Sequence, residues 1–87
     1  GGQANATVLV VGSNLVAVVA TDGDSTKLPE AAIGADVHVV NMGAAHMNLF
    51  PNASSAIEFN TINAAILISP QSGITLRRVD TVNWVQV

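Results

Sequence analysis

The two histidines, His38 and His46, are the side chains best suited to bind a transition metal in this chain. They flank Gly43 in the stretch 34–51, whose β-branched and apolar residues predict two strands folded about one tight turn. Across such a hairpin the two imidazoles could approach each other. The nearest acid, Asp36, lies two residues from His38, and the spacing supplies no third ligand. We therefore expect polar or interface histidines and no bound metal.

The carboxylates do not form a catalytic or metal-binding pattern. The run Asp22-Gly23-Asp24 resembles the opening of a calcium loop, but Ile33 stands at the position where such a loop needs its bidentate acid. The other acids are scattered, and the serines lie in predicted turns without a nucleophile elbow or a phosphate-binding loop. We expect a solvated turn here, no enzymatic activity, no cofactor and no small-molecule substrate.

Arg77 and Arg78 are neighbours on a predicted strand, so their side chains point to opposite faces of the sheet. One of them then lies at a sheet margin or a subunit boundary, where its guanidinium can pair with an acid such as Asp80 or with an acid of a neighbouring chain. Trp84 is the only tryptophan, and we expect it to be a core or interface anchor. Both predictions give these side chains packing roles.

Size and composition predict a protein that assembles. The chain has 87 residues, of which 49% are hydrophobic and 10% are charged, and its mean hydropathy is +0.47. A domain of this length buries a modest core, and this one has no cysteine with which to form a disulfide. Oligomerisation is the remaining common way to stabilise so small a fold. We therefore expect a homo-oligomer with apolar subunit contacts.

The charge balance argues against nucleic-acid and membrane partners. The net charge is −3 with three basic residues, which gives no cationic patch for phosphate or anionic lipid. The most hydrophobic window, residues 6–20, is interrupted by polar and glycine residues and is too short to span a bilayer as a helix. Nothing basic precedes it, as a secretory signal would require. We expect a soluble protein made inside the cell.

Turn signals recur along the chain at intervals of about 8 to 12 residues without a helical period, which is typical of small sandwiches and barrels. The Val-rich runs 6–11 and 15–21 predict a hairpin about residues 12–14. Further short strands are predicted at 56–60, 65–69, 74–79 and 82–87, and a loop at 30–35. We expect a flexible N-terminal arm at 1–5 and one all-β domain at 6–87. Its predicted fold is a small antiparallel β-sandwich or barrel, jelly-roll-like, with about seven or eight short strands.

A series of turn and packing residues extends from Lys27 to the C-terminus. In order they are Leu28-Pro29, Asn41-Met42-Gly43-Ala44, Phe50-Pro51, the stretch from Ile57 to Ile66 that ends in Asn-Ala-Ala-Ile, the turn from Pro70 to Gly73, and Asn83-Trp84. In this pattern the chain resembles a small β module that recurs in structural proteins of tailed bacteriophages. The Val-rich residues 6–21 lie outside the pattern, as an added hairpin or as an arm exchanged between subunits.

The resemblance implies a non-enzymatic virion component, a head decoration or cement protein that binds the major capsid protein as a homotrimer and stabilises the head. Such a protein is made in the bacterial host cytoplasm and resides on the capsid surface. The residues expected at subunit or capsid interfaces are Val16, Val18, His38, Met47, Arg77 and Trp84. A competing hypothesis is a receptor- or carbohydrate-binding module of a tail fibre or spike, which would need exposed aromatics among Phe50, Phe59 and Trp84. A third is a small enzyme or metal protein using the two histidines.

Overall fold

Nine short strands make up the part of the chain that the computed structural model describes, residues 2–16 and 24–87. The strands are β1 (Thr7–Val8), β2 (Gly12–Val16), β3 (Asp24–Lys27), β4 (Asp36–Asn41), β5 (Met47–Phe50), β6 (Ala56–Ile57), β7 (Ile66–Ile68), β8 (Ser72–Arg78) and β9 (Asn83–Gln86). The one helical element in this part is a single 3-10 turn, Gln3–Asn5. No helix within it is long and apolar enough to cross a membrane. The predicted all-β class is confirmed.

The strands form two mixed sheets. One has four strands in the order β1-β3-β5-β7, and the other has five in the order β2-β4-β8-β9-β6. Four of the seven described strand pairs are parallel, namely β1/β3, β2/β4, β3/β5 and β6/β9. The other three are antiparallel. The predicted antiparallel arrangement is therefore wrong, and the two sheets do not close into a barrel.

The parallel pairs arise because the chain changes sheet at every described step from β1 to β8. Two parallel neighbours need a crossover connection between them, which in most proteins is a helix. Here a strand of the opposite sheet lies within each such connection, as β3 does between β2 and β4. Apolar periodicity identifies a strand, but it does not identify the sheet that the strand joins.

Both hairpins predicted from the sequence are wrong. Within the stretch 34–51, β4 pairs with β2 and β8, whereas β5 pairs with β3 and β7 in the other sheet. Residues 12–14, predicted as a turn, lie inside β2. The antiparallel pair β8/β9 does form a hairpin, and the loop expected at 30–35 is present. The errors follow from treating consecutive strands as neighbours.

Asn41 fixes the crossing from β4 to β5. Its side chain is fully buried. The amide nitrogen Nδ2 donates to the carbonyls of Ala45, at 2.8 Å, and Ile68, at 3.1 Å, while Oδ1 accepts from the Gly43 amide at 2.9 Å. One side chain thus pairs two backbone groups within the crossing and one on β7. The Asn-x-Gly-Ala motif is therefore a sheet-changing corner.

A second crossing, from β7 to β8, packs against the first. Gln71 adopts φ +60° at this crossing, and its backbone amide donates to the Asn41 carbonyl at 2.8 Å. Its side-chain Nε2 donates to the carbonyls of Met42 and Gly43 at 3.0 and 3.2 Å. The two corners therefore hold each other in place through hydrogen bonds.

The core lies between the inward faces of the two sheets. In β4 the inward residues Val37, Val39 and Asn41 are fully buried, and the alternate residues are half-buried. The buried apolar cluster consists of Leu9, Leu28, Val37, Val39, Met47, Leu49, Ile57, Ile68, Leu76 and Trp84. Six of the nine described strands, β4 to β9, therefore contribute to one core, together with Leu9 and Leu28, which directly follow β1 and β3.

The Asn41 corner gives a direct test of the fold. We expect Asn41→Ala to lower the free energy of unfolding by about 2 to 4 kcal/mol, because three hydrogen bonds in a largely buried site lose their side-chain partner. Urea denaturation followed by Trp84 fluorescence measures this change. The exposed Asn60→Ala is the matched control and should change stability by at most about 0.5 kcal/mol. Similar losses in the two variants would show that the corner is not held by this amide.

Candidate assembly surface

The outward face of the five-stranded sheet brings together two of the predicted interface residues. His38 in β4 lies in register with Thr75 in β8, and its Nδ1 is 2.6 Å from Thr75 Oγ1. Asp36 and Arg77 are the neighbouring register pair on the same face of the sheet, and they form a bidentate ion pair. Arg77 donates from Nε to Oδ1 at 2.7 Å and from Nη2 to Oδ2 at 3.0 Å. This face is therefore polar and internally paired.

The other predicted interface residues lie elsewhere. Val16 in β2 is half-buried and packs against the core, and Val18 lies outside the described residues. Met47 and Trp84 are fully buried within the single chain. Met47 faces inward from β5, opposite the buried Ile68 of β7. These two fully buried side chains have no exposed surface to offer a second subunit.

Trp84 anchors the core from β9. Its indole Nε1 donates to Asn52 Oδ1 at 2.8 Å, so the buried polar atom is satisfied. The guanidinium of Arg78 lies 5.9 Å from the ring centroid and also donates to the carbonyls of Ala31 and Thr81. Trp84 was predicted to be a core or an interface anchor, and its burial confirms the core alternative. A fully buried indole cannot serve as a platform for stacking a sugar.

The two histidines do not face each other across a hairpin. His38 lies in β4, while His46 lies in the connection that leads to β5 in the other sheet. In the described ranges, no group of three His, Cys, Asp or Glu residues is placed to hold a metal ion. Of the turn predicted at residues 22–24, Asp24 begins β3, and the other two residues fall outside the described ranges. Within the described residues, the two histidines are therefore not arranged as a metal-binding pair.

Two aspartates outside the core have pKa values below their ordinary value. The hydrogen bonds and charge of Arg77 lower the pKa of Asp36. The backbone amides of Val82 and Asn83 lower the pKa of Asp80, to whose Oδ1 they donate at 2.8 and 2.7 Å. Asp80 thereby fixes the turn between β8 and β9. Both carboxylates contribute to the folded state in their ionised form.

An exposed apolar turn follows β6. Glu58 and Phe59 both have positive φ, 56° and 59°, and the Asn60 amide donates to the Ile57 carbonyl at 3.1 Å, as in a type I′ turn. Each non-glycine residue in this conformation costs roughly 1 to 2 kcal/mol. Phe59 is nevertheless 68% exposed, and Ile62 is 52% exposed. We call Glu58, Phe59 and Ile62 the Phe59 knob.

The sequence does not reveal this knob, because the turn lacks the Asn-Gly or Asp-Gly signal of its type and Phe59 fits the apolar pattern of a strand at 56–60. The structure ends β6 at Ile57. A bulky residue with positive φ is a rare conformation that sequence patterns do not indicate. The exposed aromatic is therefore a finding of the structure alone.

Hydrogen bonds fix the base of the Phe59 knob. Asn63, with φ 67°, accepts at Oδ1 from the Ser54 amide at 2.7 Å and from Gln3 Nε2 at 3.0 Å. Gln3 Nε2 also donates to the Pro51 carbonyl at 2.9 Å, and the Asn63 amide donates to the Ser55 carbonyl at 2.7 Å. The side chain of Gln3, within the predicted N-terminal arm, is thus bonded to both ends of the loop that carries the knob.

A shallow groove of about 180 Å³ lies beside β1 and β3. We call it the Lys27 groove, and it is lined by Val8, Lys27, Leu28, Glu30, Asn52 and Ala53. Leu28 is buried, whereas Val8 is 56% exposed. The Glu30 carboxylate accepts a hydrogen bond from Asn52 at 3.1 Å and lies 3.7 Å from Arg78. The groove therefore combines apolar walls with one basic side chain, Lys27, and one hydrogen-bonded acid, Glu30.

The lowered pKa values predict how stability depends on pH. A carboxylate whose pKa is lower in the folded than in the unfolded chain stabilises the fold above the unfolded value, about 3.9 for Asp, and this contribution is lost as the pH falls through the folded pKa. We therefore expect the urea midpoint to fall between about pH 5 and pH 2. Asp80→Asn should flatten this slope. An unchanged slope in the variant would contradict the role given to the Asp80 turn.

The burial of Met47 predicts a contrast with His38. Met47→Glu places a carboxylate in the core and should lower the free energy of unfolding by more than about 4 kcal/mol. His38→Glu, on the outward face, should cost about 1 kcal/mol, since it removes one hydrogen bond to Thr75. Circular dichroism and urea denaturation measure both variants. Equal losses of stability would contradict the assignment of Met47 to the core and of His38 to an outward face.

Comparison of the chain with models of protein families, with curated proteins and with solved structures finds no match.

Proposed function

We propose that this chain is a non-enzymatic virion structural protein, a capsid decoration (cement) protein that binds the outer capsid surface as a trimer and stabilises the head. The sequence resemblance to phage structural modules supplies the class. The structural observation in its favour is the amount of apolar surface in so small a chain. Large hydrophobic side chains are exposed at Val8, Val10, Val11, Ile33, Met42, Phe59, Ile62, Leu67, Val79, Val82 and Val87.

Exposed apolar side chains gain free energy when a partner covers them. Burial is worth about 25 cal/mol per Å² of apolar area before the cost of association is counted. Several of these residues are close in sequence, as Val8, Val10 and Val11 are, and as Phe59 and Ile62 are. Contacts between copies and against a shell would cover them. The protein would then act as a passive clamp whose work is done by binding alone.

The competing hypothesis, a receptor- or carbohydrate-binding module, retains one observation in its favour. Phe59 is exposed on a tight turn, as an aromatic at a binding tip would be. The other two aromatics are less suited to that role, because Trp84 is fully buried and Phe50 is half-buried. A single exposed ring gives weak support to a sugar platform, so we favour the clamp.

Reconstitution tests the proposed clamp. We expect capsids purified without this protein to lose resistance to heat and to osmotic shock, and addition of the purified protein to restore it, because new apolar contacts bridge the shell. Light scattering and release of packaged DNA measure the loss. Protein carrying Met47→Glu, which we expect to be unfolded, is the negative control. Normal stability of the bare capsids would reject the clamp, and binding of labelled protein to host cells through Phe59 would support the adhesin instead.

A further inference from the structure

Two opposite charges remain without partners in the described part of the chain. The three basic residues are Lys27, Arg77 and Arg78. Arg77 pairs with Asp36, and Arg78 binds backbone carbonyls and lies near Trp84. Across residues 2–16 and 24–87, neither the Lys27 ammonium nor the Glu58 carboxylate forms an ion pair or hydrogen bond. One of these free charges lies in the Lys27 groove and the other in the Phe59 knob.

The Phe59 knob is arranged before any partner arrives. Its turn holds Glu58 and Phe59 in the left-handed region, and the bonds of Asn63 and Gln3 fix its base. A fixed loop loses little conformational entropy when it binds, so more of the contact energy remains as affinity. The conformation is unfavourable for both residues within one chain. A contact that uses the exposed ring would compensate for that cost.

The Lys27 groove has the size and lining to take the Phe59 ring. An apolar cavity of about 150 Å³ is large enough to hold benzene. The groove measures about 180 Å³, with Val8 and Leu28 as apolar walls, and Lys27 lies in register with Phe50 on the adjacent strand. Of the two charged side chains in the groove, Glu30 accepts a hydrogen bond from Asn52 and lies 3.7 Å from Arg78, whereas the Lys27 ammonium has no partner in the described ranges. The cation of the groove is therefore available to an incoming carboxylate.

We propose that copies of this chain associate by inserting the Phe59 knob of one copy into the Lys27 groove of the next, with Glu58 paired to Lys27. The occupant of the groove is thus a second copy, chosen because the free acid beside the exposed ring complements the free base beside the apolar walls. Knob and groove are different surfaces, so the contact is heterologous, and a closed ring of copies satisfies every knob and every groove. This contact deepens the proposed self-assembly and rests on it, but it does not depend on which shell the assembly covers.

Charge reversal tests the ion pair directly. Sedimentation velocity over a range of protein concentrations should show wild-type chains associating. Glu58→Lys and Lys27→Glu should each weaken association about tenfold or more, because like charges then meet in the contact. The double variant, with both charges exchanged, should recover most of the wild-type affinity. Association unaffected by either single variant, or a wild-type chain that stays monomeric throughout, would overturn the contact.

A second variant separates lost contact from lost fold. Glu58→Asn combined with Phe59→Gly installs the residues that a type I′ turn prefers, so the monomer should unfold at a higher temperature than the wild-type monomer. The same variant lacks the ring and the acid and should fail to associate. A chain that is more stable yet monomeric supports the contact, since misfolding cannot explain the loss. Wild-type association in this variant would reject it. The exposed Asn60→Ala, in the same turn, is the matched control and should associate normally.

Capsid binding, measured separately, distinguishes this inference from the proposed function. If wild-type chains associate through knob and groove but do not bind or stabilise capsids, the contact stands and the decoration role fails. If the charge-reversal variants associate and stabilise capsids as well as the wild type does, the decoration role stands and the contact is rejected. Loss of association together with loss of capsid stabilisation in the single variants, restored in the double variant, supports both.

Discussion

The rest of this fold depends on one constraint. The chain must pass between two sheets without leaving backbone polar groups unpaired in the interior, and the buried amide of Asn41 satisfies this constraint. Each crossing interrupts the ladder hydrogen bonds that strands provide, and unpaired buried groups are costly. Asn41 meets the demand from one side chain, and Gln71, at the edge of the neighbouring crossing, donates to the Met42 and Gly43 carbonyls of the same corner. With these corners fixed, β4 and β5 enter opposite sheets and direct their alternate residues into one shared core.

Strand positions were accessible from the sequence, but strand partners were not. β7 and β9 fall within runs predicted as strands and β4 overlaps one, because β-branched and apolar residues favour extended backbone in either sheet. The pairing of strands that are consecutive in sequence is a tendency among proteins, and the prediction relied on it. The prediction fails here because Asn41, although asparagine is common in surface turns, lies at a buried corner where the chain changes sheet. The Asn-x-Gly-Ala motif was recognisable, but its role requires a partner carbonyl at Ile68, far away in sequence.

The candidate surface was predictable in part. Arg77 could be placed beside an acid, although the sequence favoured Asp80 or an acid of another chain and the structure selects Asp36 across the ladder. Trp84 could be recognised as an anchor, and burial decides for the core. The Phe59 knob could not be foreseen, since its positive φ values contradict the preferences of the residues that adopt them. Such exceptions to local preference tend to occur where a protein binds something.

The alternation of strands between sheets has a consequence for the speed of folding. Register pairs such as Asp36 with Arg77 and Thr7 with Thr26 join residues far apart in the chain. The entropy cost of closing a long loop must therefore be met before either pair can stabilise the fold. The hairpin β8/β9 is the exception, with Arg78 opposite Trp84 across a short turn. Folds dominated by distant pairings fold in about milliseconds to seconds, far more slowly than helical bundles. We infer that this hairpin is the earliest structure to form, and that the parallel strands are added to it late.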